Sequence, residues 1–456
     1  MADAAGAAGS LGSSRTAGVT RRGALGGAPL VLAGALAACG APTPPAAEKV
    51  PVTISVFTWT NVINMPVWEK AQAQFNERFA KDKLSVALTH QPNDNNAYWT
   101  KLVAEYAAGT AWDVIYGNPL ETQDVASKGM LKELSPYVKR DKFDINDINP
   151  PAQVGYMFDG KIWGLASWSD TRVLSYNKSA FQAAGIPLPP QTLDGAGWTV
   201  DDFVNAARKL NDPANNKYAF VPESTTDAAL RFPWLFGGYF WNDEKVPTRS
   251  AMNTPEYVRG LEWARDLQTA HRVMPVRTHA GQLGGHDKMF PAGMMPIAWA
   301  AYKHVTAGWD VVKDFEWAVA PLPRGTRRLH HVSPQAFAAV SLTKHPDEAW
   351  TVVKDYATGE ANETMATVSS MPAYKKTDVY KVAAVPSERR WMIKLLHDAL
   401  TAGKPLVPHP NIKLEMNQAM TAAVNDLLDE KLSPQEAAKQ GADRVNALFD
   451  QAGIRR

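Results

Sequence analysis

Two carboxylates, an arginine and several aromatic rings in this 456-residue chain have the types and spacing to do chemistry. In Trp168-Ser169-Asp170 the acid is followed two residues later by Arg172, which places a carboxylate and a guanidinium on one face of an extended strand. Glu223 ends the apolar run Tyr218–Val221, while Trp234, Tyr239 and Trp241 flank Gly237-Gly238. Trp299 and Tyr302 follow the run that begins at Met294, and His330-His331 precede another. Charged groups that bond hydroxyls, set beside flat rings that cover C–H faces, suit a polar hydroxyl-bearing molecule. Each also has a plainer role: Asp170 and Arg172 as a structural ion pair, the rings as core packing.

Other chemistries find less support. The chain lacks a Gly-x-Ser-x-Gly elbow, a His-Glu-x-x-His helix and a phosphate loop. His271 and His279 are isolated, and no ligand-spaced cluster accompanies His331, so neither a metal nor a cofactor is expected. A secreted glycoside hydrolase is the main alternative, because it also uses tryptophans and a carboxyl pair. A non-sugar polar solute is another, although a strongly anionic one calls for clustered Arg and Lys. The formal charge is +2, and Arg15, Arg21 and Arg22 against Asp3 account for it, so the rest of the chain is neutral and no nucleic-acid partner is expected.

These residues must be positioned by an α/β framework. Val52, Ile54 and Val56 alternate as a strand that delivers Trp59 and Asn61 at its end. Trp68, Ala71, Phe75 and Phe79 then follow at helical spacing, and Leu84, Val86 and Leu88 form a second strand with Asp94 in the polar loop beyond it. After a helix through Tyr98, Leu102 and Tyr106, Asp113–Tyr116 is a third strand, and Asn118 follows it. Ligands of open α/β sheets bind outside the carboxyl ends of strands, so these loop residues belong beside a cleft. Thr199 with Asp202, and Ser433 with Glu436, are capping boxes; Thr254 caps a helix opened by Pro255. Met294–Trp299, Trp317–Ala320 and Phe337–Ser341 read as strands, and the order fits two lobes made of discontinuous segments.

The amino terminus has its own pattern. Arg21-Arg22 precedes an uncharged stretch, Gly23–Ala38, too short to span a bilayer as a helix, which is the layout of a signal peptide over residues 1–38. Thr20-Arg21-Arg22 with Leu25 resembles a twin-arginine signal. Leu36-Ala37-Ala38-Cys39 is similar to a bacterial lipobox, which implies lipid on Cys39, the single cysteine, followed by a tether over residues 39–50.

Several segments together resemble the extracellular solute-binding family of carbohydrate ABC importers, of the maltose-binding-protein type. They are Ala107–Ile115, Asp159-Gly160-Lys161-Ile162-Trp163-Gly164-Leu165, Tyr176-Asn177-Lys178 and Phe290-Pro291-Ala292-Gly293-Met294-Met295, with Trp112 where the family usually carries proline. The resemblance implies a two-lobed periplasmic-binding fold with a hinge and an interlobe cleft. Lobe 1 is expected over 51–163 plus about 297–342, and lobe 2 over about 164–296 plus 343–456, with crossings near Lys161–Ala166, Met295–Trp299 and Ala339–Leu342. It further implies a hydroxyl acceptor at Asp170 and a stacking ring at Trp299 or Tyr302. A sugar or oligosaccharide ligand, permease partners, lipid anchorage outside the cytoplasm and a monomeric state complete the expectation.

Overall fold

The computed structural model describes residues 49–456 apart from 61–63, 93–94, 196, 224, 244–246, 368–369, 384, 406–414 and 455–456. The signal segment, Cys39, most of the tether, Asn61 and Asp94 lie outside the described residues. No helix among the described residues is long and apolar enough to cross a membrane.

Two sheets organise the chain. The first contains β1 (Val52–Thr60), β2 (Leu84–Pro92), β3 (Val114–Gly117) and β4 (Leu165–Asp170). The second contains β5 (Val173–Asn177), β6 (Ile297–Ala300) and β7 (Trp317–Ala320). The chain then returns to the first sheet with β8 (His331–Ala339), β9 (Met371–Pro372) and β10 (Lys404–Pro405). The first sheet has the order β9-β4-β8-β3-β1-β2, with β10 on β8; β6 and β7 both pair antiparallel with the central β5.

The pleat explains why Val56, Phe57 and Thr58 of β1 are all buried. β1 pairs in parallel with β2, from Val52 on Leu84 to Thr60 on Pro92, and with β3 on its other side. Its neighbours Val56 and Phe57 point to opposite faces, and each face is buried under a different core: Val56 beside Trp68, Phe75 and Phe337, Phe57 beside Tyr98, Leu102 and Ile115. Trp112, where proline was expected, stacks on Phe57 with centroids 3.8 Å apart. Asp113 of the same motif is a structural acid. Its carboxylate accepts from the Ser55 amide at 2.9 Å, the Ser55 hydroxyl at 2.7 Å and Thr343 at 2.7 Å, tying β1, β3 and the end of β8 together. Asp159 and Gly160 both take positive φ, 52° and 70°, the mirror-image turn that suits a two-residue hairpin between Met157-Phe158 and Lys161-Ile162.

Strand pairing shows which segments share a sheet. Ile297–Ala300 and Trp317–Ala320 pair with β5 in the second sheet. Pro346–Thr358 packs on β8, β4 and β1 of the first. The chain passes from the first sheet to the second at Asp170–Val173 and returns along the link from Ala320 to His331. Sequence order announces the elements; which strand is hydrogen-bonded to which depends on long-range pairing it does not encode locally. Both capping boxes form. Thr254 sits at the start of its helix, but its hydroxyl donates back to the Ala251 carbonyl at 2.9 Å instead of capping.

Candidate functional site

Asp170 ends β4, Val173 begins β5, and Thr171-Arg172 between them carries the chain from one sheet to the other. The return link is laced to this one by two side chains: Thr171 Oγ1 donates to the His331 carbonyl at 2.8 Å, and His330 Nδ1 donates to the Arg172 carbonyl at 2.9 Å. At this junction the guanidinium of Arg172 holds carboxylates from both sides. Nη1 donates to Asp170 Oδ2 at 2.6 Å, Nε to Glu223 Oε2 at 2.6 Å and Nη2 to Glu223 Oε1 at 3.1 Å. The second oxygen of Asp170 accepts from the Thr171 amide at 3.0 Å.

The network is mostly buried, with side-chain exposures of 14 % for Arg172, 19 % for Asp170 and 20 % for Glu223, so its charges are weakly screened. Burial alone would push the Arg172 pKa down, but the two carboxylates overcome it and hold the group above its ordinary value. Burial would likewise raise Glu223, yet Arg172 holds it down at about 2. Both stay charged at neutral pH. Burial lowers His330 to about 4 and His331 well below its ordinary value, so both imidazoles are neutral there.

The aromatic candidates separate by environment. Trp234 stacks on Tyr239 with centroids 5.2 Å apart and meets the edge of His331 at 5.5 Å, beside the crossing; the Tyr239 hydroxyl donates to the Pro405 carbonyl at 3.1 Å. Trp59 is half-buried at the end of β1, near Tyr116. Trp168 instead packs among Trp68, Tyr116 and Phe337 under the first sheet, and Trp299, 1 % exposed, lies between Phe220 and Phe232 in the core against the second sheet. Trp234 and Tyr302 are fully buried, so neither they nor Trp299 presents an open ring face. Asn118 caps the helix Pro119–Ser127 through its side-chain oxygen, a structural duty. The indole N–H groups of Trp59, Trp168, Trp234 and Trp299 and the hydroxyls of Ser169 and Tyr302 are nevertheless buried without a protein hydrogen-bond partner. Such groups are ordinarily satisfied by water or a ligand.

Sequence reasoning missed Arg231, on the helix Thr225–Leu235. It is buried, its guanidinium carbon 5.7 Å from the Trp299 centroid. The signal available was its spacing of three from Trp234, which puts both on one helix face. A second omission is the group His286, Asp287 and His304, whose ring nitrogens lie 3.4 and 3.1 Å from one Asp287 oxygen. The Ala301 amide donates to His304 Nδ1 at 2.8 Å, so the ring proton is on Nε2 and is given to Asp287. A metal ligand needs a lone pair at that nitrogen and an N–H at the other, the reverse tautomer. His304 and Asp287 are therefore a hydrogen-bonded pair, with His286 Nε2 buried beside them without a hydrogen bond.

A cavity of about 300 Å³ adjoins Glu223, lined by Val221, Gln268, Met274, Arg277 and Leu428. A roomier groove, about 480 Å³, lies at the far end of β1 among Lys49, Phe79, Lys83 and Arg140, away from the crossing and its aromatic residues.

Comparison with known proteins follows the same lines. A binding protein of Brucella abortus (strain 2308) is 24 % identical over 262 residues, 56 % of this chain; the match spans 60 % of that relative's length. The substrate-binding protein Lmo0181 of Listeria monocytogenes, solved in complex with cycloalternan, superposes with a TM-score of 0.75 at 20 % identity, covering 89 % of this chain and all of that one. The sugar-binding protein MalE of Xanthomonas citri gives 0.72 at 18 % identity over 88 % of this chain and 98 % of that one. These likenesses establish the two-lobed binding-protein fold. The family model for bacterial extracellular solute-binding proteins matches residues 61–364, two thirds of the chain, and with that match and that fold the chain belongs to the bacterial extracellular solute-binding protein family.

Proposed function

We propose that the protein is the substrate-binding component of an ABC importer and captures a sugar or oligosaccharide at the crossing between its lobes. The observation that carries this reading is the largely buried Asp170–Arg172–Glu223 network, ionised acceptors and a donor fork at the link between the two sheets, with half-buried Tyr239, and not the fully buried Trp234 behind it, as the ring available to a ligand. The Listeria relative, solved with cycloalternan, and the Xanthomonas sugar-binding protein support the same ligand class. Closure of the lobes by bending at Asp170–Val173 and at the return link sequesters the ligand from water and strengthens those bonds. With its pKa held at about 2 by Arg172, Glu223 does not suit the protonated general acid that a glycosidase needs.

The test is a thermal-shift screen of a sugar panel, in which a ligand at a hundred times its Kd stabilises by about 2.7 kcal/mol. For the sugar so identified, Asp170→Asn is expected to weaken binding by about 1.5–3 kcal/mol, the range for hydrogen bonds to a charged group. No stabilisation by any sugar, or unchanged affinity in the variant, defeats the reading. Permease subunits are the proposed recipients of the ligand. The proposed anchor is lipid on Cys39, motivated by Leu36-Ala37-Ala38-Cys39; Cys39→Ser should move the protein from the membrane to the soluble fraction, and unchanged fractionation rules the anchor out.

A further inference from the structure

The cavity of about 300 Å³ beside Glu223 is formed largely by three helices. Gln268 ends the helix Pro255–Gln268, Leu428 ends Glu415–Leu428, and Ala280 and Gly281 belong to Arg277–Gln282. Its deep wall is apolar: Val221, Met274, Pro275 and Leu428 line it and are buried. Arg277 and Gly281 are exposed and mark its mouth.

The charged groups of the lining already have partners. Both oxygens of Glu223 accept from Arg172, at 2.6 and 3.1 Å, and Arg277 donates to both oxygens of Asp429, at 3.0 and 2.6 Å. Gln268 differs. It is 8 % exposed, and its Nε2 donates to the Pro275 carbonyl at 3.2 Å and to the Leu428 carbonyl at 3.1 Å. Those two bonds fix the orientation of the amide, because the reverse one would set Oε1 against two carbonyl oxygens. Oε1 is left as a buried acceptor without a protein donor. Such an acceptor is ordinarily satisfied from outside the protein, by water or by a ligand.

From this geometry we infer that the cavity is a second binding site, for a neutral, largely apolar molecule that carries one hydrogen-bond donor, the class of which indole is a simple member. An apolar cavity of about 150 Å³ holds a benzene ring, so twice that volume has room for a bicyclic one. A ring N–H takes the place of water at Gln268 Oε1 and keeps the hydrogen bond. A ring with only a lone pair at that position displaces the water and returns nothing. A sugar is a poor match, because its hydroxyls would face Val221, Met274 and Leu428 unbonded. The site therefore differs in chemistry from the crossing and stands whether or not a sugar binds there.

Indole, benzofuran and indene share one bicyclic shape and carry an N–H donor, an oxygen acceptor and neither, in that order. Each is titrated into the whole chain with its methionine methyl groups labelled with carbon-13. The Met274 methyl, assigned by its loss in Met274→Leu, reports occupancy through the ring current of the bound compound. Indole should shift that signal in a saturable way, and benzofuran and indene should bind about tenfold or more weakly, the cost of the missing hydrogen bond and the acceptor left bare. Gln268→Leu removes the acceptor and should bring the three affinities together. If that variant fails to fold, the wild-type ratio of indole to benzofuran still decides. Equal affinities for indole and benzofuran in the wild type, or a preference that persists in folded Gln268→Leu, overturns the inference. So does a Met274 signal moved by none of the three, the result for a cavity that holds only water.

Discussion

Replacement of Arg172 by Met should cost about 3–5 kcal/mol of stability at pH 7, because it leaves Asp170 and Glu223 as buried charges without their shared counter-ion. The pH dependence supplies a second signature. Glu223 is held at about 2 against an ordinary value of 4.5, a depressed pKa, so its contribution is fully present above pH 4.5 and is lost as the pH falls from there towards 2. Without Arg172, burial dominates and raises the Glu223 pKa, and the slope reverses: the variant should gain stability as the pH drops below neutral. Adding Glu223→Gln to Arg172→Met should recover part of the loss by removing one stranded charge. Urea unfolding at pH 7, 5.5 and 4 reads all three effects, and a midpoint unchanged by Arg172→Met at every pH would mean that solvent screens the network.

A backbone contact between two helices should produce the next largest effect. A Cβ added at Gly260, on the helix Pro255–Gln268, would lie 2.2 Å from the Pro233 Cα and 2.4 Å from its nitrogen. These are main-chain atoms of the helix that carries Arg231 and Trp234, so no rotamer change relieves the clash and the helices must separate. Gly260→Ala is expected to destabilise by about 3 kcal/mol, the upper part of the range for overpacking, and to weaken sugar binding by displacing Arg231 and Trp234. Gly109 is the contrasting case: its φ is 75° but a Cβ there meets nothing within 4 Å, so Gly109→Ala should cost only the strain of the left-handed backbone, about 1 kcal/mol, and leave binding intact. Equal melting temperatures for Gly260→Ala and the wild type would show that the two helices separate without penalty.

Local order was readable in the sequence, and partnership was not. The alternation in Val52–Val56, the helical spacing of Trp68, Ala71 and Phe75, and the capping boxes at Thr199 and Ser433 each depend on neighbours within one turn or strand, and each appears in the structure. The sheet that 297–320 joins depends on which distant strand accepts its hydrogen bonds, and β5 does. The same limit applies to the rings. Trp59 and Trp168 both sit near strand ends, yet Trp168 alone is enclosed by Trp68, Tyr116 and Phe337 from three other segments. Asp170, Arg172 and Glu223 were recognisable because acids and arginines need partners wherever they are buried, while Arg231 was hidden in the apolar run Ala228–Phe236.

The strand order of the first sheet also bears on how the chain reaches this state. β8 lies between β3 and β4, and is made about two hundred residues after β3. Until it arrives, β3 and β4 each expose an open hydrogen-bonding edge, and the apolar faces of Val114 and Leu165 lack Phe337 and the helix Pro346–Thr358 that cover them. The lobe that begins first in sequence therefore cannot close early during synthesis. Its completion waits for the second sheet to be spelled out in between, so the first sheet stays open until β8 has emerged.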